Sequence, residues 1–401
     1  MVAGVIVPAV DAYLVDWLDL AFRFLHVIAA IVWIGTSFYF VALDNHLRPA
    51  EERDDLTGES WEIHGGGFYR IERYKVTPPT IPEPLHWYKW EAYTTWLAGF
   101  ALFVSLYYLQ PRTYLIDASV ADISPAVAIG ASMALLAVGW LVYDALCRTV
   151  GKRSDAWLGA CMLVLVAVTA YGCSQLFAPR AAYLQVGAML GTIMVANVFF
   201  VIIPAHWELI RAKEAGREPD PAANARGKQR SVHNNYLTLP VLFAMLSNHF
   251  AFTYTHADAW LVLVLLMVIG VAIRHFFNLR HRGRNVWAIP VLAAAALAGI
   301  AIWLRPPETS AAGPTVPFSR VLKIVADRCA ACHSMKPTQP GFSTPPQGIA
   351  FDTPQQIKAQ ASAIEQQAVV LKAMSLGNVT HMTQAERDAL AAWIDQGAKI
   401  P

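Results

Sequence analysis

The sequence predicts an all-α protein in two parts, an eight-span transmembrane helical bundle followed by a small all-α domain. Three observations lead to this prediction. Of the 401 residues, 56% are hydrophobic and only 15% are charged, whereas soluble domains carry about 25% charged residues. Long apolar stretches alternate with short basic loops up to Leu304. Beyond that point the composition becomes that of an ordinary soluble segment.

The apolar stretches have the length needed to cross a membrane, which is roughly 20 residues for a helix. The predicted spans are about 17–43, 91–110, 124–147, 156–176, 183–210, 235–255, 258–280 and 287–304. Lys and Arg gather in the loops after the first, third, fifth and seventh spans, while the intervening loops hold only Arg112 and Arg180. Because cytoplasmic loops are enriched in Lys and Arg, both termini are predicted to be periplasmic in a bacterial inner membrane. The first span lacks the basic n-region of a cleaved signal peptide.

Composition also sets the predicted domain boundaries. A transmembrane domain covers residues 1–304, and the Pro-, Ala-, Thr- and Gly-rich stretch 305–317 (RPPETSAAGPTVP) is typical of a linker. Residues 318–401 form the soluble domain. The formal net charge of +2 gives no indication of a nucleic-acid partner, and the expected surroundings of the first domain are membrane lipid.

The soluble domain begins with a motif that indicates a covalent cofactor. RCAACHS (328–334) contains Cys-x-x-Cys-His, the attachment signature of a c-type haem. Cys329 and Cys332 would bond to the porphyrin vinyl groups, and His333 would ligate the iron. A redox dithiol or half of a zinc site are the alternatives, but zinc needs a second ligand pair nearby and no second Cys-x-x-Cys or His pair follows. One haem c is therefore predicted, on the periplasmic side where this haem is normally attached.

Two amphipathic helices are predicted around this motif. Val321, Ile324 and Val325 recur at helical spacing before the cysteines. The second helix lies within 383–400, where Thr383 followed by Glu386 forms a capping box. This is the architecture of a small monohaem cytochrome c.

A methionine is the expected sixth ligand of the iron, because a thioether raises its potential. Met374 is favoured over Met382, which abuts the helix cap, and Met335 is too close to the attachment site. An iron held by His333 alone is the alternative.

Four histidines fall within the predicted spans, where ionisable side chains are costly and usually functional. His26 and His249 lie in the outer halves of the first and sixth spans, and His206 and His275 lie near the inner ends of the fifth and seventh. The run HVIAAIVWIGTSFYF (26–40) resembles the first helix of membrane proteins that bind haem b or copper through a histidine. Each pair is therefore a candidate ligand set for a b-type haem. Packing histidines that bond to carbonyl groups are the alternative.

The predicted loop 44–90 is long for a connection, and long loops are often functional. It contains HGGGFY (64–69), whose glycines are predicted to present bare backbone N–H groups to an anion, and LHWYKWEAYTTW (85–96). An interfacial aromatic belt explains the tryptophans, but it does not explain His86, Glu91 or the glycines after His64. His233 lies at the entrance of the sixth span, in HNNYL.

Together these motifs resemble a known family. HGGGFY, LHWYKWEAYTTWLAGF and HNNYLTLPVLFAMLSNHF, fused to a Cys-x-x-Cys-His domain, resemble the bacterial membrane-bound cytochrome c urate oxidase (urate hydroxylase) family over essentially the whole chain. The resemblance implies oxidation of urate to 5-hydroxyisourate in purine catabolism without hydrogen peroxide. Electrons would pass through haem c to a respiratory cytochrome c or terminal oxidase. Ser375 departs from the Met-Pro pair that small cytochromes often carry, which weakens Met374 as the ligand.

The chemistry of urate oxidation fits several of the residues singled out. His64, His86, Glu91 and His233 are candidates for contacting urate and removing its protons. A quinol-oxidising or plain electron-transfer cytochrome subunit without a urate site is the main alternative. A transporter with an appended cytochrome is a third interpretation, which predicts substrate movement without oxidation.

Overall fold

A computed structural model describes residues 12–51, 53–305 and 315–401. The first eleven residues, Glu52 and most of the predicted linker lie outside the described residues. The N-terminal part is mainly helical. Its helices are α1 (Ala12–His46), α2 (Trp90–Phe103), α3 (Pro111–Tyr114), α4 (Pro125–Arg148), α5 (Asp155–Leu176), α6 (Pro179–Asn197), α7 (Ile203–Glu214), α8 (Pro221–Leu246), α9 (Ala251–Tyr254), α10 (Ala259–His281) and α11 (Ala288–Trp303).

Short segments of other helical types connect or extend these helices. The π-helical segment Val104–Tyr108 lengthens α2, and Val198–Ile202 joins α6 to α7. The 3₁₀ turns Val150–Lys152 and Ser247–His249 follow α4 and α8. Side-chain caps define several of the starts: Ser124, Ser154 and Asp220 each accept a backbone N–H at the beginning of α4, α5 and α8.

Among the described residues, five helical segments are long and apolar enough to cross a membrane. They are Tyr13–His46, Pro125–Lys152, Asp155–Leu176, Pro179–Glu214 and Ala259–His281, and Ala288–Trp303 is apolar but shorter. The remaining two predicted spans coincide with α2 and its π-helical extension and with α8, whose first half is polar. The prediction of several apolar helices of membrane-spanning length is confirmed, and the count of eight crossings stays a prediction.

The long connection before α2 contains β structure, so the all-α prediction is wrong there. Strands β1 (Leu56–His64) and β2 (Gly67–Tyr74) form an antiparallel hairpin in which His64 pairs with Gly67. Gly65 and Gly66 occupy the two turn positions with φ of +56° and +82°. A two-residue hairpin turn of type I′ requires positive φ at both positions, which glycine adopts without strain. The glycines that the sequence suggested for an anion therefore have a structural role in the turn.

The core of the bundle lies around α6. Most residues of this helix between Ala181 and Asn197 are buried among α4, α5, α8 and α10. Glycines permit the close approach of neighbouring helices: a Cβ at Gly187 would lie 2.6 Å from the Cβ of Ala244 on α8. Small residues at such crossings are typical of helices packed in membranes.

The C-terminal domain (residues 318–401) is a separate helical cluster. It contains α12 (Phe318–Arg328), α13 (Pro354–Ala359), α14 (Ala361–Ile364) and α15 (Gln384–Asp395), with a π-helical segment at Glu365–Val370 and 3₁₀ turns at Pro346–Gly348 and Leu376–Asn378. Helices α12 and α15 form where the sequence predicts them, and the capping box of Thr383 and Glu386 is present. Val321, Leu390 and Trp393 are fully buried between them.

The C-terminal domain rests on one end of the bundle, called here the docking end. That end is formed by the start of α1 and by residues 110–117, which follow the π-helical extension of α2. Ser343 hydrogen-bonds Asp16 of α1, and the backbone at Gly377 packs against the carbonyl oxygens of Thr113 and Ile116. The opposite end of the bundle, where α1 finishes, is called the cavity end.

Candidate functional site

A cavity of about 410 Å³ opens at the cavity end, between α1, α8, α10, the α6–α7 helix and the segment before α2. Along α1 it extends from Asn45 inward to Trp33. At a rise of 1.5 Å per residue this span of α1 corresponds to a depth of about 18 Å. The cavity therefore reaches well into the bundle from the end opposite to the C-terminal domain.

Three polar side chains from α8 and α10 form a buried cluster beside the cavity, called here the polar cluster: Asn235, Arg274 and Asn278. Asn235 and Asn278 line the cavity directly. The Oδ1 of Asn235 accepts hydrogen bonds from Arg274 Nε at 3.0 Å and from Asn278 Nδ2 at 2.9 Å. Arg274 also places its guanidinium carbon 3.7 Å from the ring centroid of Phe38 on α1.

The same cluster retains unused hydrogen-bonding capacity. Asn235 Nδ2, Asn278 Oδ1 and Arg274 Nη2 are buried and have no partner among the described residues. Buried polar atoms are nearly always hydrogen-bonded, and leaving one unpaired costs about 1–3 kcal/mol. An amide donor next to an amide acceptor complements a ligand edge that carries a neighbouring C=O and N–H. The polar cluster is therefore suited to a planar, amide-rich ligand.

Cationic side chains surround the mouth of the cavity. Lys228 forms an ion pair with Asp44, which also lies 3.5 Å from Arg73 on β2. Arg282 donates from Nε to Asn45 Oδ1 at 2.9 Å. Positive charge lining an opening raises the local concentration of anions, so the mouth favours an anionic ligand.

Aromatic rings form one wall of the cavity. Trp87 stacks on Trp207 with ring centroids 4.8 Å apart, and Lys89 places its Nζ 5.1 Å from the Trp87 ring. His86 meets Tyr88 edge-on at 4.6 Å, and both line the cavity. Flat rings of this kind pack well against a planar heterocycle.

The structure brings only one of the four predicted catalytic residues to the cavity. His86 lines it, whereas His64 lies exposed at the tip of the hairpin, outside the lining. Glu91 lies in the first turn of α2, where its Oε2 is buried and has no partner among the described residues. His233 bonds through Nδ1 to the Tyr143 hydroxyl at 2.8 Å, on the α4 side of α8.

His233 is connected to the cavity only indirectly. Asn197 donates to the Tyr143 hydroxyl at 3.0 Å and to Asn234 Oδ1 at 2.9 Å, and Asn234 lines the cavity. Successive helical residues differ by about 100° in direction, so His233 and Asn235 lie on different faces of α8. Sequence reasoning noted Asn235 beside His233 at the span entrance but gave weight to the histidine, and it missed Arg274 and Asn278. Arg274 and Asn278, four residues apart in an apolar helix, are the signal that could have revealed the cluster.

The four histidines of the predicted spans have distinct surroundings. His26 donates from Nδ1 to the carbonyl of Thr95 at 2.8 Å, and its ring packs on Gly99, where a Cβ would lie 2.7 Å from its Cε1. His206 lines the cavity beside Trp87.

The other two histidines lie elsewhere. His275 bonds through Nδ1 to the Tyr236 hydroxyl at 2.7 Å. His249 lies exposed in the 3₁₀ turn after α8.

Comparison with known proteins bears directly on the bundle that contains the cavity. A family model described as urate oxidase N-terminal matches residues 12–305, nearly three quarters of the chain. The chain belongs to the urate oxidase N-terminal family. No curated protein and no solved structure matched it. The family match confirms the predicted relationship to urate oxidases and indicates an oxidoreductase that acts on urate.

The match to the urate oxidase N-terminal family ends before the C-terminal domain, so that domain must be interpreted from its own residues. Cys329 and Cys332 follow α12 as free cysteines, and the backbone N–H of His333 donates to the Cys329 carbonyl at 2.9 Å. Burial raises the pKa of the Cys329 thiol to about 12, and the neighbouring Cys332 adds to this shift. Reactive redox cysteines have lowered thiol pKa values. The raised pKa of Cys329 therefore argues against the redox-dithiol alternative.

His333 has the second hydrogen bond that a metal-ligating histidine needs. Its Nδ1 donates to the carbonyl of Ile349 at 2.9 Å, which leaves the Nε2 lone pair for a metal. Histidine ligands almost always donate their other ring N–H to a carbonyl or carboxylate, which fixes the tautomer. Zinc would instead require four ligands, and the described residues contain no cluster of three or more His, Cys, Asp or Glu side chains. The residues present therefore fit a c-type haem.

The two candidate methionines differ in their surroundings. Met382 is 5% exposed and belongs to the core of the C-terminal domain. Met374 is half-buried at the edge of that core, in a loop held by α15: Arg387 donates from Nη1 to the Met374 carbonyl at 2.5 Å and to the Ala368 carbonyl. Met374 therefore lies in a loop held by Arg387, while Met382 packs in the core of the C-terminal domain.

Proposed function

We propose that the protein is a membrane-bound urate oxidase of the urate:cytochrome c oxidoreductase type. Urate binds in the cavity, and its electrons pass to a covalent haem c on the C-terminal domain and then to a respiratory cytochrome c or terminal oxidase. The polar cluster carries this proposal, because Asn235 and Asn278, which each have an unpaired buried amide atom, line a cavity with an aromatic wall and a cationic mouth. Urate is a planar, largely anionic purine whose edges alternate C=O and N–H groups, and it complements each of these features.

The reaction balances without dioxygen. Urate and water give 5-hydroxyisourate, two protons and two electrons, with the new C–O bond formed at C5. The electrons leave one at a time because haem iron accepts one, and no hydrogen peroxide forms because dioxygen is not the acceptor. His86 is the proposed acceptor of a proton, since histidine is the side chain that most often acts as a general base and His86 lines the cavity. His64, Glu91 and His233 stay candidates that the geometry supports less.

The C-terminal domain has the residues to hold the haem. Cys329 and Cys332 would form the thioether bonds, His333 would ligate the iron through Nε2, and Met374 would supply the sixth ligand with Met382 as the alternative. A haem with this ligation supplies a one-electron acceptor whose potential is raised by the thioether. The chain itself orients His333 through Ile349 and holds the Met374 loop through Arg387.

The distance between the two sites requires an intermediate step. At 1.5 Å per residue, Trp33 at the inner limit of the cavity lies about 26 Å along α1 from Asp16 at the docking end. His26 lies between them, about 10 Å from Trp33 and about 15 Å from Asp16. Its Nδ1 donates to the Thr95 carbonyl, which leaves the Nε2 lone pair available for a metal.

We propose His26 as one ligand of a b-type haem, and His249, exposed in the turn after α8, as the partner that the sequence suggests. His206 and His275 were the second predicted pair. His206 lines the cavity and His275 bonds Tyr236, so we propose that they serve urate binding instead.

Topology follows from the same arrangement. The basic loops lie at the cavity end, so the positive-inside rule puts the cavity on the cytoplasmic side of a bacterial inner membrane and the C-terminal domain in the periplasm. Urate produced in the cytoplasm would then reach the cavity directly. Haem c would lie in the compartment where it is normally attached.

One observation favours a second candidate function, a quinol-oxidising cytochrome subunit. An apolar pocket of about 250 Å³ shares His86, Trp87 and His206 with the cavity and is lined otherwise by side chains such as Ile81, Leu85 and Leu209. Such a pocket suits a lipid-soluble quinol. It lacks the unpaired polar atoms that distinguish the larger cavity, so urate oxidation is the better supported function.

The two functions are separated by adding urate or a soluble quinol to membranes that contain the protein and recording the reduction of haem c. We expect urate to reduce the haem and 5-hydroxyisourate to accumulate without peroxide. Cys332→Ala should abolish covalent haem and urate oxidation, whereas Cys161→Ala, at a span cysteine outside any motif, should retain both. Reduction by the quinol and not by urate, in protein that dithionite reduces fully, would overturn the urate assignment.

A further inference from the structure

We infer that the C-terminal domain has a specific docking site on the bundle and that electrons enter its haem through the docked face. The site consists of Asp16 on α1 and the docking segment (residues 110–117). The domain contributes residues 341–343 and the Met374 loop (residues 374–382). This inference rests on the proposed function for the identity of the electron donor, but the docking itself does not.

One close contact is between two backbones. Gly377 has a φ of +57°, and a Cβ added there would lie 2.9 Å from the carbonyl oxygen of Thr113 and 3.1 Å from that of Ile116. Any side chain at 377 would have to displace the docking segment. The approach depends on glycine, which indicates a fitted surface and not a chance contact between two linked domains.

Two further contacts come from a different part of the domain. A Cβ at Gly341, where φ is +93°, would overlap the Gln110 side chain, whose buried Oε1 has no partner in the described parts of the chain. Ser343 donates from its hydroxyl to Asp16. The domain therefore touches the bundle at separated points on α1 and on both ends of the docking segment, which fixes its orientation.

The docked face includes the loop of the proposed methionine ligand. Gly377 follows Met374 by three residues and lies against the carbonyl oxygens of Thr113 and Ile116, and Arg387 holds the Met374 carbonyl. The methionine side of the haem site thus borders the docking segment.

The docking segment is itself firmly attached to the bundle. Leu115 is fully buried, and its carbonyl accepts the N–H of Ala178 at the start of α6 at 2.9 Å. The ring of Tyr114 packs on Tyr107, which stacks on Phe103 of α2 with centroids 4.8 Å apart. The segment therefore holds the haem site at a fixed distance from α2, the helix that also fixes His26 through Thr95.

The experiment uses the full-length holoprotein. It compares a variant whose C-terminal domain is displaced from the docking site with one whose domain is cross-linked to it. Gly377→Val introduces the clash with the docking segment. Gly397→Val is the matched control, because Gly397 also has a positive φ, of +92°, in the same domain but has nothing within 4 Å of an added Cβ. A disulfide between Asp16→Cys and Ser343→Cys, two side chains already in contact, locks the docked form.

Three readouts are recorded. Disulfide formation in the locked pair, verified by mass spectrometry of the linked peptides, reports docking without reference to activity. The dithionite-reduced spectrum reports an intact haem domain. Stopped-flow mixing with urate reports the rate of haem c reduction.

We expect the locked pair to form its disulfide and to keep the wild-type rate of haem reduction. Gly377→Val should lower both the disulfide yield and the rate of haem c reduction by about tenfold or more, because the added side chain clashes with the docking segment. Gly397→Val should keep the disulfide yield and the rate of haem c reduction close to those of the parent protein.

The inference would be overturned if dithionite, but not urate, reduced the haem c of the cross-linked protein. Electrons would then enter the haem from an undocked state. An unchanged rate in Gly377→Val would overturn it as well. If urate fails to reduce the wild-type haem, the proposed function fails, while the disulfide still decides whether the docking site exists.

Discussion

Replacing Asn278 by leucine is the sharpest test of the polar cluster. Leucine nearly matches asparagine in shape but removes the Oδ1 that has no partner in the described structure and the Nδ2 that donates to Asn235. In the urate-free protein the two losses oppose each other, because the unpaired oxygen costs about 1–3 kcal/mol and the lost hydrogen bond contributed about 0.5–1.5 kcal/mol. Asn235 Oδ1 keeps its bond from Arg274. The stability of the urate-free protein should therefore change by less than about 1–2 kcal/mol.

Urate binding should respond differently. A urate N–H that faces leucine in place of Oδ1 is left unpaired in a dry site, which costs about 1–3 kcal/mol. This energy corresponds to a rise of about 5- to 150-fold in the urate concentration needed for half-maximal haem reduction. The assay is the initial rate of haem c reduction against urate concentration, with thermal unfolding of the same detergent-solubilised sample as the stability measurement.

Two control variants separate binding from folding. Asn285→Leu changes an exposed asparagine after α10 and should alter neither quantity. Asn234 has both amide groups satisfied, by Asn197 and by the Met194 carbonyl, so Asn234→Leu should destabilise the fold by about 1–3 kcal/mol. The reasoning is refuted if Asn278→Leu destabilises the protein as Asn234→Leu does and leaves the urate dependence unchanged.

Three other predictions follow from the structure and the sequence. Met374→Ala should lower the haem potential and remove the sulfur–iron band near the red end of the spectrum. Met382→Ala should cost about 2–5 kcal/mol of stability, because it truncates a core side chain. The reverse pattern would exchange the two roles. A periplasm-dependent reporter fused after Ala311 should be active and one within 211–230 silent, and the opposite result would reverse the topology. Pyridine haemochrome analysis should find haem b beside haem c and lose it in His26→Ala; haem c alone in the parent protein would exclude the relay.

Local patterns in the sequence determined much of the architecture. Continuous apolar runs of membrane-spanning length form helices because a helix satisfies its own backbone hydrogen bonds, whatever surrounds it. The capping box of Thr383 and Glu386 acts within four residues, so the start of α15 could be predicted accurately. The Cys-x-x-Cys-His motif likewise needs only five consecutive residues to indicate a covalent haem. The hairpin was missed, although Gly65 and Gly66 between alternating residues are a signal for one.

The cavity was decided by tertiary structure alone. Asn235 and Asn278 are far apart in the chain, and only the packing of α8 against α10 brings their side chains together. The same packing turns His233 toward Tyr143 and away from the cavity, because neighbouring residues of one helix point in different directions. A sequence shows which residues are polar within an apolar helix, but not which of them lack a partner. The docking contact at Gly377 also depends on tertiary structure. The sequence shows a glycine at 377, but only the folded chain shows that another backbone lies against it.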